Sequence, residues 1–260
     1  MPLGAKKNLR EQGEKEVERS AAVRRGVRGR GGVLTKIVLY NCLSAIAAGR
    51  LFEITNKADA DILWLYGVDH LETGSTAIHF GWKRGPFGNK SAGCSTIGGR
   101  RVKAEDIKKI EAAPDEIAGR GGAVRIRGGT LDIEAVVGYP PPPYGGTTAF
   151  EVQAQDKAII KTTNWIRSKV EQAKLRSLPI IGVDNVGIGP DVYIDDQDKC
   201  IGPFNRSKMM GPGGRWAMQL LDELEWCAPM TFSKAAGPTY YGIDEGTTST
   251  PDQLLIPQEA

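Results

Sequence analysis

The chain has 260 residues, 40% hydrophobic and 25% charged, a balance that suits a folded domain with a sizeable core and excludes a disordered or collagen-like chain. Its formal net charge of +3 hides an asymmetry, because residues 1–36 carry a net of +6 and the remainder carries −3. Four scattered cysteines (Cys42, Cys94, Cys200, Cys227) with no CxxC pair, and two histidines without zinc-ligand spacing, argue against structural zinc and for free thiols.

Residues 1–34 read as a disordered basic arm. They close on Arg24-Arg-Gly-Val-Arg-Gly-Arg-Gly-Gly32, which has too few apolar groups to offset the entropy of ordering. Arg/Gly runs can also grip phosphate backbones. The N-terminus has no apolar signal core. The longest apolar tract, residues 37–48, is interrupted by Asn41 and Ser44 and is too short to span a bilayer, so a soluble intracellular protein without a membrane partner is expected.

Residues 35–260 read as one domain. A strand is expected over 36–42, then a short helix over 50–56 with Leu51 and Ile54 on one face. A second strand over 61–66 is apolar nearly throughout, as a strand covered on both faces should be. Strands at 77–82 and 94–97 flank a Gly/Pro/Asn loop. The polar segment 103–118, cut by Pro114, is expected to be helical. Residues 124–127 and 130–137 predict a hairpin turning on Gly128-Gly129, where both turn positions can take positive φ. Tyr139 follows, then four prolines at 140–143 that cannot continue a sheet ladder.

The longest helix is expected over 150–176, with Ile159, Ile166, Val170 and Ala173 at helical spacing. It returns the chain to an apolar strand ending in Asp184-Asn185 and a Gly187/Gly189 turn. A further amphipathic helix over 214–226 turns Trp216, Leu220, Leu221 and Leu224 inward. Residues 237–242 and 249–257 predict two short edge strands. Many strands, few helices and an antiparallel hairpin together point to a two-layered sheet sandwich with outer helices, rather than a doubly wound sheet.

Polar side chains recur where strands end: Asn41, Tyr139, Asp184 with Asn185, and Asp252 before the last apolar run. Each has a plain structural reading: Asn41 satisfying a strand end, Tyr139 packing on prolines, the Asp-Asn pair capping a turn, Asp252 turning the chain after Pro251. Taken in order, they resemble the endonuclease/exonuclease/phosphatase superfamily over residues 35–257. Ile201-Gly-Pro-Phe204, Ala228-Pro-Met-Thr-Phe232 and Gly237-Pro-Thr-Tyr-Tyr241 further resemble the endonuclease domain of non-LTR (LINE-type) retrotransposons.

The resemblance implies an α/β fold, a DNase I-like four-layered sandwich of two packed mixed sheets flanked by helices. It implies hydrolysis of DNA phosphodiesters with Mg²⁺ or Mn²⁺, in the nucleus, with the reverse transcriptase region of the same polyprotein as a partner. The chemistry suits the residue types, because a hard cation takes oxygen ligands and a carboxylate can deprotonate an attacking water. By the same resemblance, Asp184 is the base and Asn185 its partner. Asn41 lies by the metal, Tyr139 touches the phosphate, and Asp252 belongs to the acidic network that orients a histidine.

The sequence also departs from that pattern. Gly67 stands where the family carries a metal-binding glutamate, and Asp69, two residues on, is the local substitute. The family's Asp-x-Asn is contracted to Asp184-Asn185, and neighbours in a strand face opposite ways unless a bulge intervenes. Met230 replaces an asparagine. The chain stops at Ala260, before the family's terminal strand and Asp-His pair, so a sandwich lacking that strand is expected. The readings that follow are a DNA endonuclease of impaired activity, a non-catalytic copy that binds nucleic acid through residues 19–32, and, third, a phosphatase of small esters.

Overall fold

The computed structural model describes residues 26–28, 34–41, 60–67, 76–80, 93–99, 101–129, 131–141, 148–184, 186–189, 200–205, 210, 212–234, 240–241, 248–249 and 252–258. Within these, one five-stranded sheet runs in the order β1-β2-β3-β5-β4, formed by Gly26–Arg28 (β1), Leu34–Asn41 (β2), Ile62–Tyr66 (β3), Ala77–Phe80 (β4) and Cys94–Gly98 (β5). A six-stranded sheet runs β10-β13-β9-β8-β7-β6. It comprises Ile107–Ala112 (β6), Gly121–Gly128 (β7), Leu131–Gly138 (β8), Leu178–Val183 (β9), Trp226–Cys227 (β10) and Gln253–Pro257 (β13). Both sheets are mixed: β2–β3 and β8–β9 are parallel, and the other pairs are antiparallel. A separate ribbon pairs Tyr240–Tyr241 (β11) with Thr248–Ser249 (β12).

The two sheets face one another. Ile37, Leu39, Ile62, Trp64, Tyr66 and Phe80 of the first pack against Val124, Ile126, Ile133, Val137, Ile180 and Leu254 of the second in one buried cluster. The alternate residues of the second sheet, Val136, Ile181, Val183 and Leu255, form another core with the helices Ala149–Lys174 (α1) and Pro212–Leu224 (α2). From α1 this core takes Trp165, Ile166 and Val170, and from α2 Trp216, Leu220 and Leu221, apolar stripes at helical spacing. The outer face of the first sheet has its own buried trio of Val38, Leu63 and Leu65. The architecture is the predicted α/β sandwich of two packed mixed sheets with helices. The short helix expected over 50–56 lies outside the described residues, as does the arm apart from Gly26–Arg28. Those three residues, read from composition as unstructured, form an edge strand on β2.

Four expectations are corrected. Segment 103–118 is not a helix: two single 3₁₀ turns, Ala104–Asp106 and Asp115–Ile117, flank the edge strand β6. The open edge of β7 recruits it, and tertiary pairing overrides its local propensity. Its lysines and a bulge between Ile107 and Lys109 are usual features of a protected edge. The hairpin turn sits one residue later than expected. Gly128 still pairs with Leu131, and Gly129 alone of the two glycines takes positive φ, +56°. Third, residues 253–257 are not an edge strand but lie between β10 and β9. Helix α2 likewise stops before Trp226, because Glu225 adopts φ +56° and turns the chain into β10.

How close the sheets come is set at Gly182. A Cβ there would sit 2.6 Å from the Tyr66 hydroxyl oxygen and would also overlap the Trp64 ring. Gly182→Ala is therefore expected to destabilise the fold by about 1–3 kcal/mol, an overpacking cost readable as a lower urea midpoint.

Asp61 ties β3 to β2. Its carboxylate accepts from the Lys36 amide at 2.7 Å and pairs with Arg101, while its own amide donates to the Lys36 carbonyl at 2.8 Å. Burial alone would raise this carboxyl, but the Arg101 and Lys36 hydrogen bonds outweigh it and hold it below its ordinary value. A depressed carboxyl stabilises above the unfolded value and loses that contribution as pH falls through the folded one. Asp61→Asn should thus cost stability at neutral pH. Denaturation curves of parent and variant should converge as pH drops below about 4.

Candidate functional site

The sheet directions bring one set of strand ends to one edge of the sandwich. β2 and β3 end there at Asn41 and Tyr66, and β8 and β9 end there before Tyr139 and Asp184. β5, β7 and β13 run the other way and begin there, at Cys94, after Arg120 and after Asp252. Alternation then selects which side chains face the gap between the sheets. Asn41 follows Leu39, Tyr66 follows Trp64, and Tyr139 follows Val137, each two residues behind a member of the inter-sheet core. Asp184 follows Gly182 by the same step. Asp252 precedes Leu254, the residue opposite Gly182, so extending that register sets Asp252 across from Asp184.

The key contact crosses the gap. The Asn41 amide Nδ2 donates to Asp184 Oδ2 at 2.6 Å, although the two residues are 143 positions apart. A carboxylate only accepts, so this bond orients the amide, with Asn41 Oδ1 on the side away from it. Asp184 and Asp252 are both fully buried. The Tyr66 ring lies 6.1 Å from that of Tyr139, tilted by 37°, and joins the two sheets beneath the carboxylates. Burial first, then the charges of Asp252 and Asp184, push the Tyr66 hydroxyl well above its ordinary value, so it stays a proton donor. The Arg120 guanidinium sits 5.3 Å from the centre of the half-buried Tyr139 ring, and the Tyr139 amide donates to the Arg120 carbonyl at 2.8 Å. Cys94, paired with Tyr66 across β3–β5, is no nucleophile, because burial pushes its thiol up to about 12.

Four of the six expected site residues therefore meet in one place: Asn41, Tyr139, Asp184 and Asp252. Asn185 and Asp69 lie outside the described residues. Tyr66 and Arg120 were not singled out from sequence. Tyr66 had a signal, since it ends an inward-alternating strand beside Gly67. Arg120 is placed only by the β7–β8 register, which sets it opposite Tyr139. His79 shares a hydrogen bond with Ser95 at 2.8 Å on the face of β4 opposite to Ile78 and Phe80, away from this gap. Met230 is buried in the inter-sheet core, so it contributes apolar contact where the family pattern has an amide.

The donors are all oxygens, two of them carboxylates, which is the chemistry of a hard divalent cation. Among the described residues no group of three or more His, Cys, Asp or Glu gathers. Magnesium is commonly held through one or two carboxylates, with waters and substrate oxygens completing its shell. Asp184, Asp252 and the Asn41 amide oxygen fit that requirement. The expected glutamate position is a different matter, because Gly67 is buried and adopts φ +64°.

The fold is a DNase I-like α/β sandwich of two packed mixed sheets with helices. Among solved structures, the chain is similar to the endonuclease domain of TRAS1, a telomere-specific non-LTR retrotransposon, at 16% identity and a TM-score of 0.51, over 86% of this chain and 85% of that one. It is also similar to the 3′ phosphatase NExo from Neisseria bound to a product DNA hairpin (TM-score 0.59, 14% identity, 86% of each chain). The catalytic domain of Xenopus laevis APE2 is a further likeness (TM-score 0.58, 14% identity, 86% and 82% covered). No protein-family model matches the sequence, and no curated protein matches it significantly. No helix among the described residues is long and apolar enough to cross a membrane.

The positive φ at Gly67 gives a direct test of whether a glutamate there could act as a ligand. Any side chain there should cost about 1–2 kcal/mol, so Gly67→Ala and Gly67→Glu are both expected to melt lower in EDTA. With Mn²⁺ added, the glutamate variant should regain more than the alanine variant, as read by thermal unfolding.

Proposed function

We propose that the chain is a metal-dependent phosphodiesterase acting on DNA, a retrotransposon-type endonuclease whose activity is lowered by glycine at position 67. The observation that carries this reading is the Asn41–Asp184 bond across the two sheets, with Asp252 in register beside it. Asp184, Asp252 and the Asn41 amide oxygen would hold Mg²⁺ or Mn²⁺, which when bound offsets charge on the phosphate and its leaving oxygen. Asp184 accepts the proton of the attacking water, and the Asn41 N–H keeps that carboxylate turned to its task. The Tyr139 hydroxyl donates to a phosphate oxygen, and Arg120 adds positive charge where the DNA backbone passes. Asn185 and Asp69 would complete the constellation, as partner of the base and as a further ligand. An enzyme of this origin works in the nucleus, beside a reverse transcriptase region of the same polyprotein.

The replacement of the glutamate by Gly67 favours one second reading, a non-catalytic copy that holds nucleic acid through the basic arm. Nicking of supercoiled plasmid in Mg²⁺ or Mn²⁺ separates the two. Under the first reading Asp184→Ala should lower the nicking rate by at least about 100-fold. DNA retained in a gel shift without nicking, and released on deletion of residues 1–33, would overturn it in favour of the second.

A further inference from the structure

The Tyr66 hydroxyl is buried and has no hydrogen-bond partner among the described residues, a condition that folded proteins seldom leave uncompensated. Its position is tightly set. β3 is laddered on both edges, to Asn41 on β2 and Cys94 on β5, and the Tyr139 ring braces the phenol from the opposite sheet. The hydroxyl oxygen rests over Gly182, 2.6 Å from where a Cβ would stand. Gly182 itself offers no partner, because its strand is paired to β8 on one side and β13 on the other. On the same face, two residues after Gly182, stands Asp184. Two residues before Leu254, across the ladder, stands Asp252. A two-residue step along a strand is about 6.6 Å, longer than a direct hydrogen bond, so a water is what could join the phenol to the carboxylates.

We propose that Tyr66 is a positioning residue of this site. Its hydroxyl donates to one buried water, which in turn donates a hydrogen to Asp184 and another to Asp252. A neutral bridge of this kind suits two carboxylates set opposite each other, which otherwise repel across the ladder. It also decides which carboxylate oxygens face outward, and in that respect it rests on the phosphodiesterase reading above.

The test begins without catalysis. In a urea double-mutant cycle of Tyr66→Phe and Asp252→Asn, the two changes should couple by about fivefold in the unfolding equilibrium constant. Near-UV circular dichroism checks that each variant keeps the parent fold. In the nicking assay Tyr66→Phe should lower kcat by about tenfold and leave KM for plasmid unchanged, with weaker Mn²⁺ binding in titration. Additive effects in the cycle, or a phenylalanine variant that nicks with the parent's kcat, would overturn the inference. Coupling in a parent chain that neither binds Mn²⁺ nor nicks DNA would support the water bridge and sink the nuclease reading instead.

Discussion

The missing side chain at Gly182 governs the site more than any charged group does. Trp64 and Tyr66 of one sheet lie directly on that backbone of the other, with the phenol oxygen 2.6 Å from the position a Cβ would fill. Any larger residue would push the sheets apart, and the interior, packed as densely as a crystal, has no slack to absorb it. The separation of the sheets is also the separation of their strand ends. Asn41 belongs to the first sheet and Asp184 to the second, and a 2.6 Å hydrogen bond between them exists only at this spacing. A packing choice two residues inside the core thus becomes a geometric condition on the chemistry at the rim.

Electrostatics then explains why the rim is built of these residue types. Two buried carboxylates set across one ladder are costly unless something answers their charge. Part of the answer is neutral: the Asn41 amide donates to Asp184, and the phenol of Tyr66, kept protonated by burial and by both aspartates, lies beneath. Arg120, near the Tyr139 ring, contributes positive charge on the outer side.

Much of this was legible before the structure. The strands over 36–42 and 61–66 and the stripes of both helices could be read from hydrophobic period alone, because each element buries a face whose spacing is local information. Asn41, Tyr139, Asp184 and Asp252 stood out because polar residues interrupting apolar runs at strand ends are conspicuous. What escaped was non-local. Residues 107–112 became a strand because β7 offered an edge 10 to 19 positions away, and nothing inside the segment records that edge. Tyr66 could be read as the end of a buried strand, but not as a neighbour of Asp184 and Asp252. Its role depends on meeting a glycine on another sheet, 116 positions later. Arg120 reads as a loop cation until the hairpin register sets it opposite Tyr139.

Gly67 separates what the fold needs from what a catalyst needs. A glutamate at the end of β3 would contribute little to either hydrophobic core, both of which are complete without it. At φ +64° the backbone has settled into a conformation that glycine adopts freely and that any L side chain opposes. Stability alone thus favours glycine at this position. The same reasoning runs the other way for Asp184, Asp252 and Asn41. A buried acidic pair is a poor way to stabilise a sandwich, so packing alone does not account for Asp184 and Asp252.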